Sequence, residues 1–249
     1  MRGALRATFV VLTVIASTPI LGAIVILGAL FRVRDRPGSI FDWTARTWGR
    51  VHLWAGGVRV IEHGLENKAG AQHIFVANHL GNFDVFALAA VLPWIKFVAK
   101  AELFRLPIFG RAIQAAGMIP IERAKAKAAF GAYSIATERI HAGASVAVYP
   151  EGTRGDAYPL RPFKRGPFVL AIQAQAPVVP IVVYGALEIN RKGRFSVRPG
   201  TLHLHFLPAI PTTGLTFADR GTVARKAYEA MAQCLRQRYG VESPPYLPV

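Results

Sequence analysis

Cysteine is almost missing from this chain of 249 residues: Cys234 is the only one. A single thiol excludes an intrachain disulfide and a thiolate metal cluster, and it leaves the compartment open. Acidic side chains are scarce too. Fourteen Asp and Glu face thirty Lys and Arg, a formal net charge of +16. That imbalance points to an anionic partner, whether nucleic acid, an anionic membrane or a phosphorylated substrate, and composition does not rank the three. No nucleic-acid recognition motif is present and the basic residues are dispersed, which argues against nucleic acid. There is no internal repeat and no low-complexity tract. There is also no Gly-x-Ser-x-Gly elbow, so a serine hydrolase is disfavoured; Ser145 opens an expected strand and has no supporting context.

Charge is missing altogether from Ala7 to Phe31. This apolar run is long enough to span a bilayer core. Arg2 and Arg6 precede it, and Arg32, Arg34 and Arg36 follow it. A cleaved signal peptide has a shorter apolar region; Ser17-Thr18-Pro19 leaves that option open, yet Ile20 to Phe31 continues apolar beyond it. A buried helix of a soluble domain is the third alternative. The basic residues on the C-terminal flank favour a catalytic domain facing the cytoplasm. After Pro37-Gly38, the stretch from Ile40 to Gly57 interleaves Phe41, Trp43, Trp48 and Trp54 with Arg46, Arg50 and His52. It reads equally as a helix at headgroup level and as an amphipathic helix packed on a core. Residues 1–57 are therefore expected to be a membrane helix and an interfacial helix, with a catalytic domain at 58–249.

Within that domain, apolar runs alternate with helical patterns. Strands are expected at Val58–Ile61, His73–Ala77, Ile95–Lys100, Met118–Ile121, Ser145–Tyr149 and Val178–Tyr184, the last interrupted by Pro180. Pro120 marks an edge or irregular position. Helical patterns follow at Val85–Val91, Lys125–Ile140 and Phe168–Gln175, and Asp219-Arg220 opens a final helix to about Gln237. A short helix or turn is expected at Glu102–Gly110. In the strand containing Leu202, Leu204 and Phe206, His203 and His205 alternate with the apolar positions. They share a wetter face and could chelate a metal, but no third ligand is evident, and a half-exposed strand is the simpler account. The fold class expected is α/β: a mixed, mainly parallel sheet flanked by helices, behind an N-terminal membrane-anchoring segment.

Ligands of such sheets sit at the carboxyl ends of strands. Four chemical features fall there: His79 with Asp84, Lys100, Arg123, and Glu151-Gly152-Thr153-Arg154. His79 and Asp84 lie five residues apart across a turn that opens a helix. There the carboxylate can hold one ring nitrogen and leave the other to take a proton from an alcohol. The plainer alternative is a histidine near a strand end with Asp84 as a helix cap. No Ser or Cys nucleophile stands beside the pair, so the hydroxyl to be activated belongs to a substrate.

The ordered motifs resemble those of the glycerolipid acyltransferases, in particular the 1-acyl-glycerol-3-phosphate acyltransferases. Asn78-His79-Leu80-Gly81-Asn82-Phe83-Asp84 matches an Asn-His, four residues, Asp block. Gly117-Met118-Ile119-Pro120-Ile121-Glu122-Arg123 matches a glycine, apolar strand and arginine. Pro150-Glu151-Gly152-Thr153-Arg154 is intact, Phe163-Lys164-Arg165-Gly166 fits, and Val179-Pro180-Ile181-Val182 matches the last block. Many members have Ser at Gly81 and a large apolar residue at Pro120. The resemblance implies transfer of a fatty acyl group from acyl-CoA or acyl carrier protein to the sn-2 hydroxyl of a lysophosphatidate. It assigns His79 as base and Asp84 as its partner, with Arg154 and Arg123 on the acceptor phosphate; Lys100, outside the matched blocks but at a strand end, is a weaker candidate for the same pocket. Asn78, Glu151, Gly152 and Thr153 would support the site loops. It implies no metal and no tightly bound cofactor. The expected setting is an anionic phospholipid membrane, the bacterial inner membrane, with a lysophospholipid acceptor and no nucleic acid. Related acceptors (glycerol-3-phosphate, other lysophospholipids, a lyso-ornithine lipid) and a non-catalytic lipid-binding protein are the alternatives.

Overall fold

A computed structural model of the chain describes residues 2–70, 72–122 and 126–247. The elements in order are α1 (Arg2–Leu30), α2 (Ile40–Gly56), β1 (Val58–His63), β2 (Ile74–Ala77), α3 (Asn82–Val91), β3 (Ile95–Lys100), α4 (Phe109–Ala115), β4 (Ile119–Ile121), α5 (Ala126–His141), β5 (Ser145–Val148), α6 (Gly166–Ala174), β6 (Val178–Tyr184), α7 (Ala186–Ile189), β7 (Gly200–Phe206) and α8 (Arg220–Tyr239). A 3-10 turn at Ala101–Arg105 precedes α4. The sequence pattern anticipated that turn but not the helix after it.

Seven strands form one sheet in the order β1-β7-β6-β2-β5-β3-β4. Every pairing is parallel except β6 with β7. The mixed, mainly parallel α/β architecture is thus as expected. One face carries α1, α2 and α3 over Phe75, Ala77, Ile181 and Val183. The other carries α5, α6 and α8 over Ile74, Val76, Val146, Val148 and Val182. Strands buried on both faces read as continuous apolar runs, as Ile74–Ala77 and Val178–Val183 do.

Both prolines in strands have a positional reason. Pro120 lies in β4 at the edge of the sheet, where a missing N–H costs nothing in the ladder. Pro180 is central but does not interrupt β6. Its carbonyl accepts the Leu207 N–H at 2.9 Å, just past the last β6–β7 pair, Ile181 with Phe206. The donor it lacks falls where regular β6–β7 pairing is interrupted, before the chain rejoins β6 at the Val178–Ile210 bridge.

The two N-terminal helices pack against each other and against α3 and α4. Gly49 makes the α2–α3 contact possible: a Cβ there would lie 2.4 Å from the Phe86 carbonyl oxygen. The α1–α2 connection is pinned by Asp35, which pairs with the buried Lys96 at 2.6 Å and accepts the Trp94 indole N–H at 2.8 Å. Along α1, Ala7, Val10, Gly22, Val25 and Gly28 turn inward. Phe9, Leu12, Ile15, Ile20, Leu27 and Leu30 are exposed on its outer side. A helix apolar all round, with one side uncovered by protein, fits a membrane-anchoring segment. Helix α2 has a buried side and an exposed side. Phe41, Gly49, His52 and Leu53 are buried, while Trp43 and Trp54 face outward.

Candidate active site

The chain leaves β2 toward β3 and leaves the adjacent β5 toward β6, in opposite directions across the sheet. Their carboxyl ends therefore diverge and open a crevice, the usual ligand position in open α/β sheets. The turn after β2 contains His79, and the loop after β5 contains Glu151 to Arg154.

Asn78 sets the turn. Its amide donates to the Val183 carbonyl at 3.0 Å and its oxygen accepts the Val183 N–H at 2.7 Å, so the side chain extends the β2–β6 ladder by one rung. His79 then projects with its Nδ1 3.1 Å from Asp84 Oδ2. The same oxygen accepts the N–H groups of Leu80 at 2.6 Å and Gly81 at 2.8 Å. Asp84 sits in the first turn of α3, where free backbone donors and the helix dipole favour a carboxylate. Capping and orientation of the histidine are therefore one arrangement rather than two alternatives. Nε2 of His79 is left for another partner.

The loop after β5 closes on this turn. The His79 carbonyl accepts the Gly155 N–H at 2.7 Å. The Tyr149 ring stacks on the His79 ring, centroids 4.1 Å apart. Burial, and then the Asp84 charge, push the Tyr149 phenol well above its ordinary range, so it stays neutral. Glu151 is buried and accepts the His79 backbone N–H; burial first, with Asp84 adding, raises its carboxyl to about 8 against the pull of Arg161. Glu151 thus supports the histidine backbone instead of facing solvent. Gly152 has φ +76°, the left-handed conformation the tight turn needs, and Lys164 packs over it. Thr153 accepts from the Arg161 guanidinium through its hydroxyl at 2.8 Å. Arg154 donates to the Asn82 side-chain oxygen at 3.0 Å, which ties the second loop to the start of α3.

A cavity of about 660 Å³ opens here. His79, Asn82, Lys100, Arg154 and Lys192 line it together with a long apolar wall from α1, α2, β3 and α4, including Val25, Phe41, Phe97, Ala112 and Ala116. Of the residues singled out from sequence, His79, Asp84, Asn78, Glu151, Gly152, Thr153, Arg154 and Lys100 are gathered at this end of the sheet. Arg123 lies outside the described residues. Ser145 is at the amino end of β5, where its hydroxyl accepts the His73 N–H, remote in the fold from His79.

Three residues escaped the sequence reading. Tyr149 adjoins the Pro150–Arg154 block and Asn82 lies inside the first block, so both were within reach of closer attention. Lys192, which donates to the Arg154 carbonyl at 3.3 Å, comes from the loop after α7 and carries no local signal.

The sequence profile of the acyltransferase family matches residues 59–184, half of the chain. The chain belongs to the acyltransferase family. This acyltransferase is 38% identical over 162 residues to human 1-acyl-sn-glycerol-3-phosphate acyltransferase beta, covering 64% of this chain and 58% of that one. It is 34% identical over 184 residues to the human alpha form, covering 73% and 65%. The matched stretch is thus less than two thirds of either relative. The crystal structure of the 1-acyl-sn-glycerophosphate (LPA) acyltransferase PlsC from Thermotoga maritima has the same fold. Its TM-score is 0.77 at 23% identity, over 96% of this acyltransferase and 98% of that chain.

Proposed function

We propose that this acyltransferase transfers a fatty acyl group from a thioester donor to the sn-2 hydroxyl of 1-acyl-glycerol-3-phosphate, giving phosphatidate. The observation that carries the proposal is the joint placement of His79–Asp84 and Arg154 at one apolar-walled cavity. The named relatives, acyltransferases of that same acceptor, support it.

In this reaction His79 Nε2 takes the hydroxyl proton as the oxygen attacks the thioester carbonyl. The tetrahedral adduct collapses, the C–S bond breaks, and the imidazolium returns the proton to the leaving thiolate. Asp84 holds Nδ1–H and offsets the imidazolium charge, a contribution of about 10² to 10⁴ in rate for a well-placed base. No acyl-enzyme is needed, because the thioester is already activated. Arg154 meets the acceptor phosphate as a guanidinium fork, assisted by Lys100 and Arg123. The apolar wall receives an acyl chain. The donor is acyl-CoA or acyl carrier protein.

Residues 1–57 serve as the anchoring unit and 58–249 as the catalytic domain. The uncovered side of α1 lies in the bilayer, and the basic surface draws anionic lipid. The setting is the bacterial inner membrane with the active site facing the cytoplasm.

The test offers labelled lysophosphatidate with long-chain acyl-CoA and with acyl carrier protein in parallel, in detergent or membranes. Wild type should form phosphatidate and His79→Ala should not. Absence of product with either donor, from folded protein, overturns the acceptor assignment; product with glycerol-3-phosphate or another lysophospholipid alone would replace it.

A further inference from the structure

On the opposite face of the sheet from the cavity, the chain brings three imidazoles together. His203 and His205 are two apart on β7 and so share a face. Their apolar neighbours Leu202, Leu204 and Phe206 point the other way, into the core under α1–α3. The parallel register of β1 sets Ile61 beside His203 and His63 beside His205. His63 is therefore the third ligand that the sequence pattern lacked. One nitrogen from each ring lies within 4.8 Å of the other two. His63 Nε2 and His203 Nδ1 are already 3.1 Å apart. Two nitrogens bound to one tetrahedral zinc at about 2.05 Å stand roughly 3.4 Å apart, close to that separation. The His63 ring lies flat on the His205 ring, centroids 4.2 Å apart, so taking up an ion requires the rings to turn their nitrogens toward it. His205 is held from behind by Tyr239 of α8, with Nε2 2.7 Å from the phenol oxygen. Such an outer contact fixes ring orientation at metal sites. His63 and His203 are only half-buried, so an ion has a way in.

We propose that His63, His203 and His205 form a site for a divalent transition-metal ion of the zinc type, which clamps edge strand β1 to β7 and takes no part in acyl transfer. Imidazole donors suit zinc, nickel, copper and cobalt, and exclude magnesium and calcium, which prefer oxygen. Strand β1 has β7 as its one sheet neighbour and is joined directly to α2. A metal bridge between His63 and the β7 pair closes a long loop of chain and holds the junction between the N-terminal helices and the sheet.

Tag-free protein in detergent is titrated with Co²⁺, whose visible spectrum reports nitrogen ligation. The expected result is one ion per chain, displaced by Zn²⁺, with affinity reduced by about tenfold or more in both His203→Ala and His63→Gln. Acyl transfer should be retained in these variants. No Co²⁺ binding by wild type overturns the proposal, as does unchanged binding in both variants. Should a variant lose its fold, the wild-type melting temperature with Zn²⁺ against a chelator decides: a rise supports the site and no change overturns it.

Discussion

Asp84→Asn separates a catalytic partner from a helix cap. Asp84 is fully buried, and its Oδ2 accepts three N–H groups, from His79, Leu80 and Gly81. Asparagine keeps the volume and one oxygen for the two backbone donors. Its amide nitrogen must then take the place of Oδ1, which has no hydrogen-bond partner among the described residues. Exchanging charge-assisted for neutral bonds and stranding a buried NH₂ costs about 2–4 kcal/mol of stability. Alanine would strip both backbone donors of their acceptor and risk the fold itself. The imidazole, meanwhile, keeps a neutral amide oxygen at Nδ1 but loses the carboxylate charge that offsets imidazolium. The expected kcat falls by about 10² to 10⁴, while the KM for lysophosphatidate is little changed because no phosphate contact is touched. Steady-state kinetics with a saturating acyl thioester, on protein whose melting curve is cooperative, is the assay. A kcat within about threefold of wild type would refute the reasoning and leave Asp84 as a cap alone.

Arg154→Ala should raise the KM for lysophosphatidate by about 10- to 100-fold, the worth of a hydrogen bond to a charged group, and Arg154→Lys should fall between. An unchanged KM would remove Arg154 from the phosphate site. Ala45→Phe projects a ring into the cavity that Ala45 lines. Preference for long over short acyl thioesters should drop by roughly fourfold for each methylene excluded, since each buried CH₂ is worth about 0.8 kcal/mol; an identical chain-length profile would place the acyl chain elsewhere. Glu151 is raised from 4.5 to about 8, so the folded state retains a proton that the unfolded state has lost between those values. Its contribution is complete below pH 4.5 and is lost as pH rises through about 8, on the order of 5 kcal/mol if nothing relaxes. Thermal melts from pH 5 to pH 9 should show a flatter pH dependence in Glu151→Gln than in wild type, and parallel curves would contradict the burial argument.

Sequence alone determined the α/β class, most strand positions and the pair His79–Asp84, because these depend on local patterns. Apolar runs of strand length stand between helical segments, and a carboxylate five residues past a histidine falls in the first turn of a helix. The edge position of Pro120 was legible for the same reason, since a missing N–H constrains where a strand can lie. Tertiary structure decided what distant segments share. Asn78 bonds to Val183, Arg154 to Asn82, and Lys192 reaches the same mouth from a loop that carries no motif. It decided that Pro180 can sit mid-sheet, because regular β6–β7 pairing is interrupted there, between Ile181–Phe206 and the Val178–Ile210 bridge. It also decided that His203 and His205 have a third companion, since only strand register brings His63 beside them. Local chemistry is written in spacing along the chain. Which loops, cations and imidazoles meet depends on strand order and register, and those follow from packing the whole chain at once.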